Sequence, residues 1–244
     1  MRKASLERVS RQLDTLEQRI KERQSMHKAN GKMDASRPLA IDLFTGLSGW
    51  GEGLIAEGWR VVGFDIEDMF ATFGIAKPEH FQLVLQDVRT LHGSQFKDAA
   101  LIVASPPCQT YSYRAMPWKR AKALPPPDNE LFDACFRIQR EACEAAGKNI
   151  PMVVENVRGA QKWVGRSRGN YGSFHLWGDV PALMPIGIHR KMAGMKVNGR
   201  GAMPHDFADM GVKCGGSPAR KAVSAKIAKI PLPLAQHIAR VYRP

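Results

Sequence analysis

Short apolar runs, each with a carboxylate or a cysteine near its end, recur between residues 39 and 157 of this chain. They are Leu39–Phe44, Arg60–Phe64, Phe81–Leu85, Ala99–Val103 and Met152–Val154. Helical or turn-forming segments join them, a pattern that predicts parallel strands buried on both faces. We therefore expect an α/β domain built on a mostly parallel sheet, with helices on both faces. In such sheets, ligands bind at the carboxyl ends of the strands.

Carboxylates recur near the ends of the first three runs at nearly even spacing. They are Asp42, Asp65 and Asp87, and a glycine-rich turn over 46–53 follows the first of them. An acid at the end of the second strand is suited to accept hydrogen bonds from ribose hydroxyls. The turn lacks the spacing of a phosphate-binding loop, so we predict an adenosine-type cofactor rather than a nucleoside triphosphate. Tight packing of a helix on a strand is the alternative explanation of the glycines.

A cysteine follows the fourth run in the sequence Ala-Ser-Pro-Pro-Cys-Gln, and this cysteine is Cys108. The two prolines fix φ and remove two N–H donors, so they stiffen the backbone that carries the thiol. The fifth run leads into Glu155 and Asn156. A thiol and a carboxyl group at the ends of two neighbouring strands are placed to hold one small ring between them.

The net charge of +13 is distributed unevenly. Residues 156–244 contain 15 Lys and Arg against three acidic residues, whereas the rest of the chain has 21 against 20. A strongly basic half favours a polyanionic partner, and nucleic acid is the leading candidate. A basic protein without such a partner is the alternative.

A proline-rich loop over 110–128 interleaves aromatic and basic side chains, with no acid before Asp128. Aromatic faces stack on bases while cations contact phosphates, which predicts a nucleic-acid surface that closes over the site. A solvated surface loop is the other interpretation. The predicted nucleic-acid contacts are Gln109, Tyr111, Tyr113, Arg114, Trp118, Lys119, Arg120 and Lys122.

Several function classes are disfavoured by composition. No run of eighteen apolar residues is present, and the first residues lack an apolar signal core. The four cysteines show neither disulfide nor zinc spacing, which favours a reduced, cytoplasmic protein without a metal site or membrane contact. Cys135 and Cys143 lie in a predicted helix over 131–146 and are expected in the core.

Taken together, these residues resemble the DNA (cytosine-5) methyltransferases, and in particular the small stand-alone enzymes of phages and prophages. The sequence over 42–49 resembles the family's first motif, Pro-Pro-Cys-Gln over 106–109 its catalytic motif, and Glu-Asn-Val over 155–157 the companion motif. Asp65, with Glu67 as the alternative, matches the ribose-binding acid. The C-terminal sequence over 228–239 is similar to a diverged last motif.

This resemblance implies a Rossmann-like fold that binds S-adenosylmethionine and methylates carbon 5 of a flipped-out cytosine in double-stranded DNA. It makes Cys108 the nucleophile, Glu155 a neutral acid that hydrogen-bonds N3 of the base, and Asn156 a residue that holds the catalytic loop. The implied cofactor-binding residues are Asp42, Phe44, Gly46, Gly49, Asp65, Ile66, Asp87, Val88, Pro106 and Leu131.

The chain departs from the family pattern in one respect that concerns catalysis. The family's Gln-x-Arg-x-Arg motif is not evident, and Arg166 and Arg168 are the candidates to replace it by favouring the Cys108 thiolate. Two alternative functions stay open. One is RNA cytosine-5 methylation, and the other is a non-catalytic nucleic-acid-binding relative, against which the intact Cys108 and Glu155 argue.

The predicted organisation has four parts. Residues 1–35 form a basic helix and linker, 36–178 the catalytic and cofactor-binding domain, 179–222 a small irregular recognition region, and 223–244 a helix that returns to the catalytic domain. The narrow apolar stripe of the N-terminal helix suits docking on this chain or on a partner, and the sequence does not separate these two uses.

Overall fold

A seven-stranded mixed sheet organises the computed structural model, which describes residues 34–111, 125–185, 225 and 228–244. Its strands are β1 Leu39–Leu43, β2 Arg60–Asp65, β3 Phe81–Leu85, β4 Leu101–Ala104, β5 Met152–Val157, β6 Gly169–Tyr171 and β7 Phe174–Gly178. The strand order is β3-β2-β1-β4-β5-β7-β6. The first five strands pair in parallel, and β7 pairs antiparallel with β5 and β6. The predicted α/β fold with a mostly parallel sheet is confirmed.

Helices cover both faces of this sheet. They are α1 Gly49–Ala56, α2 Met69–Phe73, α3 Glu130–Ala146, α4 Gln161–Val164 and α5 Leu232–Val241, with 3₁₀ turns at Val88–Thr90, Gly93–Phe96 and Arg158–Ala160. Trp50 of α1 and Leu234 of α5 belong to the apolar cluster on one face, and Phe132 and Ile138 of α3 to the cluster on the other.

The strands are apolar throughout because both of their faces are covered. In β4 every residue is buried, and in β1 the side chains of Ala40 and Ile41 enter opposite clusters. Complete burial of a side chain such as Ile41 contributes about 1.5–3 kcal/mol relative to exposure. Burial of both faces of the sheet explains why the strand sequences are uninterrupted apolar runs.

The C-terminal helix α5 packs closely on α1. A Cβ atom added to Gly53 would lie 2.3 Å from the Ala235 Cβ, so the two backbones approach as only glycine permits. The Trp59 Nε1 donates to the Ala239 carbonyl at 3.2 Å and fixes the end of α5. The last residues of the chain thereby lie beside the glycine-rich turn after β1.

Two features of the sheet differ from the sequence-based prediction. Strand β5 continues past Val154 through Glu155 and Asn156 to Val157, because β7 supplies backbone partners opposite these polar residues. The hairpin partner β6 was not predicted. It is a short edge strand joined to β7 by a turn at Gly172, where φ is +60°.

Part of the prediction falls outside the described residues. The N-terminal helix, most of the loop over 110–128 and most of the region 179–222 lie there. Tyr113, Arg114, Trp118, Lys119, Arg120 and Lys122 are among these residues. In the part of the chain that the structure describes, no helix has the length and apolar character needed to cross a membrane.

Candidate active site

A cavity of about 670 Å³ opens at the carboxyl ends of the parallel strands. Cys108 and Glu155, the two residues expected to hold one small ring between them, both lie on the wall of this cavity. Among the described residues, the wall comprises Phe44, Asp65, Ile66, Glu67, Asp87, Val88, Arg89, Ser105, Pro106, Pro107, Cys108, Gln109, Leu131, Glu155, Val157, Ser173, Phe174 and Ala228. The cavity is therefore shared by the predicted catalytic pair and most of the predicted cofactor residues.

A second cavity of about 330 Å³ shares part of this wall. Phe44 and Asp65 line both spaces, and Gly46, Gly49 and Trp50 line the second one only. All the predicted cofactor-binding residues except Asp42 line one of the two cavities. The predicted nucleic-acid contact Gln109 lines both.

The Glu155 carboxyl group is buried within the central strand β5. Burial raises the pKa of Glu155 to about 8, although a hydrogen bond from Ser105 acts in the opposite direction. The Ser105 hydroxyl in turn accepts a hydrogen bond from Trp50 Nε1 at 3.0 Å. Glu155 therefore keeps its proton near neutral pH.

The loop that carries Cys108 is fixed on both sides of the thiol. The Asn156 amide donates to the Pro106 carbonyl at 3.0 Å, and the Tyr111 N–H donates to the Cys108 carbonyl at 3.0 Å. The Tyr111 hydroxyl donates to Asn129 Oδ1 at 2.9 Å. Asn156 thus holds the loop by a buried hydrogen bond, which is the arrangement expected from the sequence.

Tyr111 requires a correction. Only 3% of its surface is exposed, and its ring belongs to the apolar cluster beneath α3. A ring packed in the core presents no face to a base, so Tyr111 anchors the loop rather than stacking on nucleic acid. The prediction followed the aromatic spacing of the loop, which does not show which ring turns inward.

Arg166 and Arg168 also lie elsewhere than predicted. Both side chains are exposed, and neither lines the cavity that holds Cys108. The Arg168 N–H donates to the Leu176 carbonyl at 2.9 Å, which ties the backbone into the start of the β6–β7 hairpin. This placement does not support a role in stabilising the Cys108 thiolate.

Asp65 is the last residue of β2, and its carboxylate accepts hydrogen bonds from three backbone N–H groups. They come from Gly46 at 2.9 Å, Ile66 at 2.8 Å and Glu67 at 3.3 Å. These bonds tie the glycine-rich turn after β1 to the end of β2. Glu67 lines the same cavity, so Asp65 and Glu67 both remain candidates for the ribose-binding acid.

Asp87 is held by Arg89, which the sequence prediction did not include. The Asp87 carboxylate accepts from the Arg89 N–H at 2.9 Å and from its guanidinium, whose closest nitrogen lies 2.6 Å away. These bonds hold the pKa of Asp87 below its usual range. Arg89 also reaches Glu130 at 3.4 Å. The Asp-x-Arg spacing is the signal by which Arg89 can be found in the sequence.

Asp42 lies behind the cavities rather than on their walls. It is buried within β1, and its Oδ2 accepts from the Thr45 hydroxyl at 2.7 Å. Burial raises the pKa of Asp42 to about 7, with hydrogen bonds from Thr45 and the Gly51 N–H acting against this. Asp42 thus supports the turn from within the sheet and makes no direct contact with the space where a cofactor would bind.

A family model described as C-5 cytosine-specific DNA methylase matches residues 39–163, half of the chain. The chain belongs to this family. The matched region contains β1 to β5, the Cys108 loop and the Glu-Asn-Val sequence at the end of β5.

Several solved methyltransferases are similar to this chain. A DNA modification methyltransferase encoded within an E. coli prophage is 24% identical, with a TM-score of 0.38, over 52% of this chain and 34% of that one. S. pombe Dnmt2 methyltransferase is 18% identical, with a TM-score of 0.35, over 52% and 36%. The chain therefore spans little more than a third of these structures. No curated protein matches it.

The wall of the two cavities fits S-adenosylmethionine, the donor that the methylase family implies. Ile66, Val88 and Leu131 offer apolar surface, and the Ile66 side chain is 77% exposed at the cavity. Carboxylates at Asp65 and Asp87 supply hydrogen-bond acceptors beside them. Within the described ranges, no group of three or more His, Cys, Asp or Glu side chains is arranged to hold a metal ion.

Sequence reasoning missed further residues of the wall in this methylase fold. Ser105 stands within the proline-cysteine sequence, and its hydroxyl next to a strand end was a usable signal. Ser173 and Phe174 reach the cavity through the β6–β7 hairpin, and no local sequence pattern indicates this.

Cys135 is buried, as expected for a core residue, and burial raises the pKa of its thiol.

Proposed function

We propose that this protein transfers a methyl group from S-adenosylmethionine to carbon 5 of a cytosine flipped out of DNA, through a covalent adduct with Cys108. One observation carries the proposal. Cys108 and Glu155, which come from different strands and lie far apart in the sequence, line a single cavity beside the predicted cofactor residues.

The chemistry requires both groups because C5 of cytosine is a weak nucleophile. Addition of the Cys108 thiolate to C6 forms an S–C6 bond and converts the ring into an enamine, whose C5 would take the methyl group while the donor sulfonium leaves as a neutral thioether. The protonated Glu155 donates to N3 and stabilises the charge that develops there. Loss of the C5 proton to solvent and elimination of the thiolate, which breaks the S–C6 bond, then restore the aromatic ring and the free enzyme.

The residues that would hold the cofactor line the same cavity. Ile66, Val88 and Leu131 would pack against its adenosine, Asp65 or Glu67 would accept from the ribose, and Asp87 would be the acid near the adenine. When bound, S-adenosylmethionine supplies a methyl group activated by its sulfonium.

DNA as the substrate is supported by the family and by charge. The strongly basic half of the chain begins at Asn156, beside the proposed catalytic acid. A base inside a duplex cannot enter a cavity of this kind, so the target must be extruded at a cost of a few kcal/mol. A basic surface next to the cavity offsets part of that cost by binding phosphates.

The test uses DNA that contains 5-fluorocytosine, which blocks loss of the C5 substituent and traps the adduct. With S-adenosylmethionine present, we expect a covalent complex that survives denaturing electrophoresis. Cys108→Ala should abolish both the complex and methyl incorporation into ordinary DNA, while calorimetric binding of S-adenosylhomocysteine stays unchanged.

A matched control is Cys143→Ala, because Cys143 is half-buried on α3 and does not line the cavity. This variant should trap DNA like the wild type. An active Cys108→Ala enzyme would show that another group is the nucleophile. RNA of the same sequence is tested in parallel, and preferential methylation of the RNA would contradict the assignment of DNA.

A further inference from the structure

The segment between β5 and β6 is densely basic. Residues 158–168, called here the basic segment, contain four cations and no acid: Arg158, Lys162, Arg166 and Arg168. All four side chains are exposed. None forms a salt bridge in the part of the chain that the structure describes, whereas Arg89, Lys229 and Arg240 are paired with acids.

The backbone of the basic segment is fixed by side chains outside it. Asn129 Nδ2 donates to the Trp163 carbonyl at 3.3 Å, and Trp177 Nε1 donates to the Gly165 carbonyl at 3.0 Å. Inside the segment, the Ser167 N–H and hydroxyl both donate to Gln161 Oε1 at 3.2 Å. The cations are thus mounted on an ordered backbone, and this reduces the entropy lost when they bind a partner.

The basic segment is connected to the wall of the proposed catalytic cavity at both ends. It follows Val157, which lines that cavity, and it leads into the hairpin that contributes Phe174 to the wall. Asn129 bridges the two regions, because it binds the Tyr111 hydroxyl of the Cys108 loop as well as the Trp163 carbonyl. The backbone that carries the cations is therefore attached to the elements that form the cavity.

We propose that the basic segment binds the phosphates of the DNA strand that carries the target cytosine. The inference rests on the proposed function, and it gives the two arginines outside the cavity a role. A DNA strand presents one negative charge per 3.4 Å of helix axis, so neighbouring phosphates meet several cations of one short segment. Such contacts position the strand and carry no sequence information.

The experiment compares two variants of equal net charge. One combines Arg158→Gln, Arg166→Gln and Arg168→Gln. The control combines Lys97→Gln, Arg140→Gln and Lys148→Gln, which are exposed cations without a salt bridge among the described residues. Lys97 and Lys148 precede β4 and β5, so they lie toward the opposite rim of the sheet.

Affinity for a short duplex that contains cytosine is measured by fluorescence anisotropy across a salt series. Each lost phosphate contact lowers the slope of log affinity against log salt by about 0.9, so the basic-segment variant should lose roughly 2 to 3. Its KM for DNA should rise, and its kcat at saturating DNA should stay within about twofold of the wild type. The control should keep the wild-type slope within about 1.

S-adenosylhomocysteine binding verifies that both variants are folded. Equal losses of slope in the two variants, or an unchanged slope in the basic-segment variant, would overturn the proposal. A loss confined to binding of an RNA of the same sequence would overturn the choice of DNA. Failure of the wild type to methylate DNA would refute the proposed function, whereas a loss of slope only in the control would refute the basic segment alone.

Discussion

Two carboxyl groups on one cavity wall are held in opposite states. Asp87, a proposed cofactor-binding residue, accepts from a backbone N–H and a guanidinium, and its pKa lies below the usual range. Glu155, the proposed catalytic acid, is buried with a hydroxyl as its hydrogen-bond donor, and its pKa rises to about 8. The comparison shows how one cavity holds two carboxyl groups, one ionised and able only to accept hydrogen bonds, the other protonated and able to donate one.

The position of each residue in the fold explains the difference. Asp87 follows the edge strand β3 in an exposed turn, where Arg89 lies two residues further along the chain. Glu155 lies in β5 between β4 and β7, where no cation of the described residues pairs with it and desolvation dominates. Depth in the sheet and proximity to a cation therefore set the protonation state at this site.

The largest expected effect follows replacement of Glu155, the buried carboxylic acid. Glu155→Gln should lower kcat for methyl transfer by about 10² to 10⁴-fold, because the amide cannot act as an acid in the transition state. Binding of S-adenosylhomocysteine should be unchanged. Glu144→Gln, an exposed site on α3, is the matched control. A loss below about tenfold would mean that Glu155 is not the acid.

A second test measures the cost of burying Glu155 directly. Its native pKa of about 8 exceeds the unfolded value of 4.5, so the native state binds more protons between these pH values. The stabilisation is fully present below about pH 4.5 and is lost as the pH rises through 8. Relative to the wild type, Glu155→Gln should gain roughly 2–4 kcal/mol in unfolding free energy between about pH 5 and pH 8.5.

Urea denaturation of both proteins at the two pH values gives this difference. Asp42, whose pKa is raised to about 7 by burial, contributes with the same sign, but it is present in both proteins and cancels. A stability difference that does not change with pH would show that Glu155 is ionised in the folded protein, and the contrast with Asp87 would disappear.

The smallest expected effect concerns the exposed carboxylate. Asp87→Asn keeps an oxygen that can accept from the Arg89 N–H but removes the charge, so S-adenosylhomocysteine affinity should fall roughly tenfold by calorimetry. kcat at saturating cofactor should change little. Asp98→Asn, at an exposed position outside the cavity, is the control. Unchanged affinity would remove Asp87 from the cofactor site.

Much of this site could be predicted from local sequence because parallel strands end at a common rim. That rule predicts that Asp65, Asp87, Cys108 and Glu155 lie close together at this rim. It did not separate residues on the wall from those behind it. Asp42 supports the turn from inside β1, and the Tyr111 ring turns into the core, since both are buried by elements distant in sequence.

The sequence by itself determined which apolar runs form strands, that the sheet is covered on both faces, and which residue types stand at the carboxyl ends of the strands. Only the tertiary structure decided which strand lies beside β5. The antiparallel β7 lengthens β5 and brings Phe174 to the cavity, and together with β4 it encloses Glu155. Local patterns encode burial and the pairing of Asp87 with Arg89, whereas the protonation of Glu155 depends on neighbours contributed by remote parts of the chain.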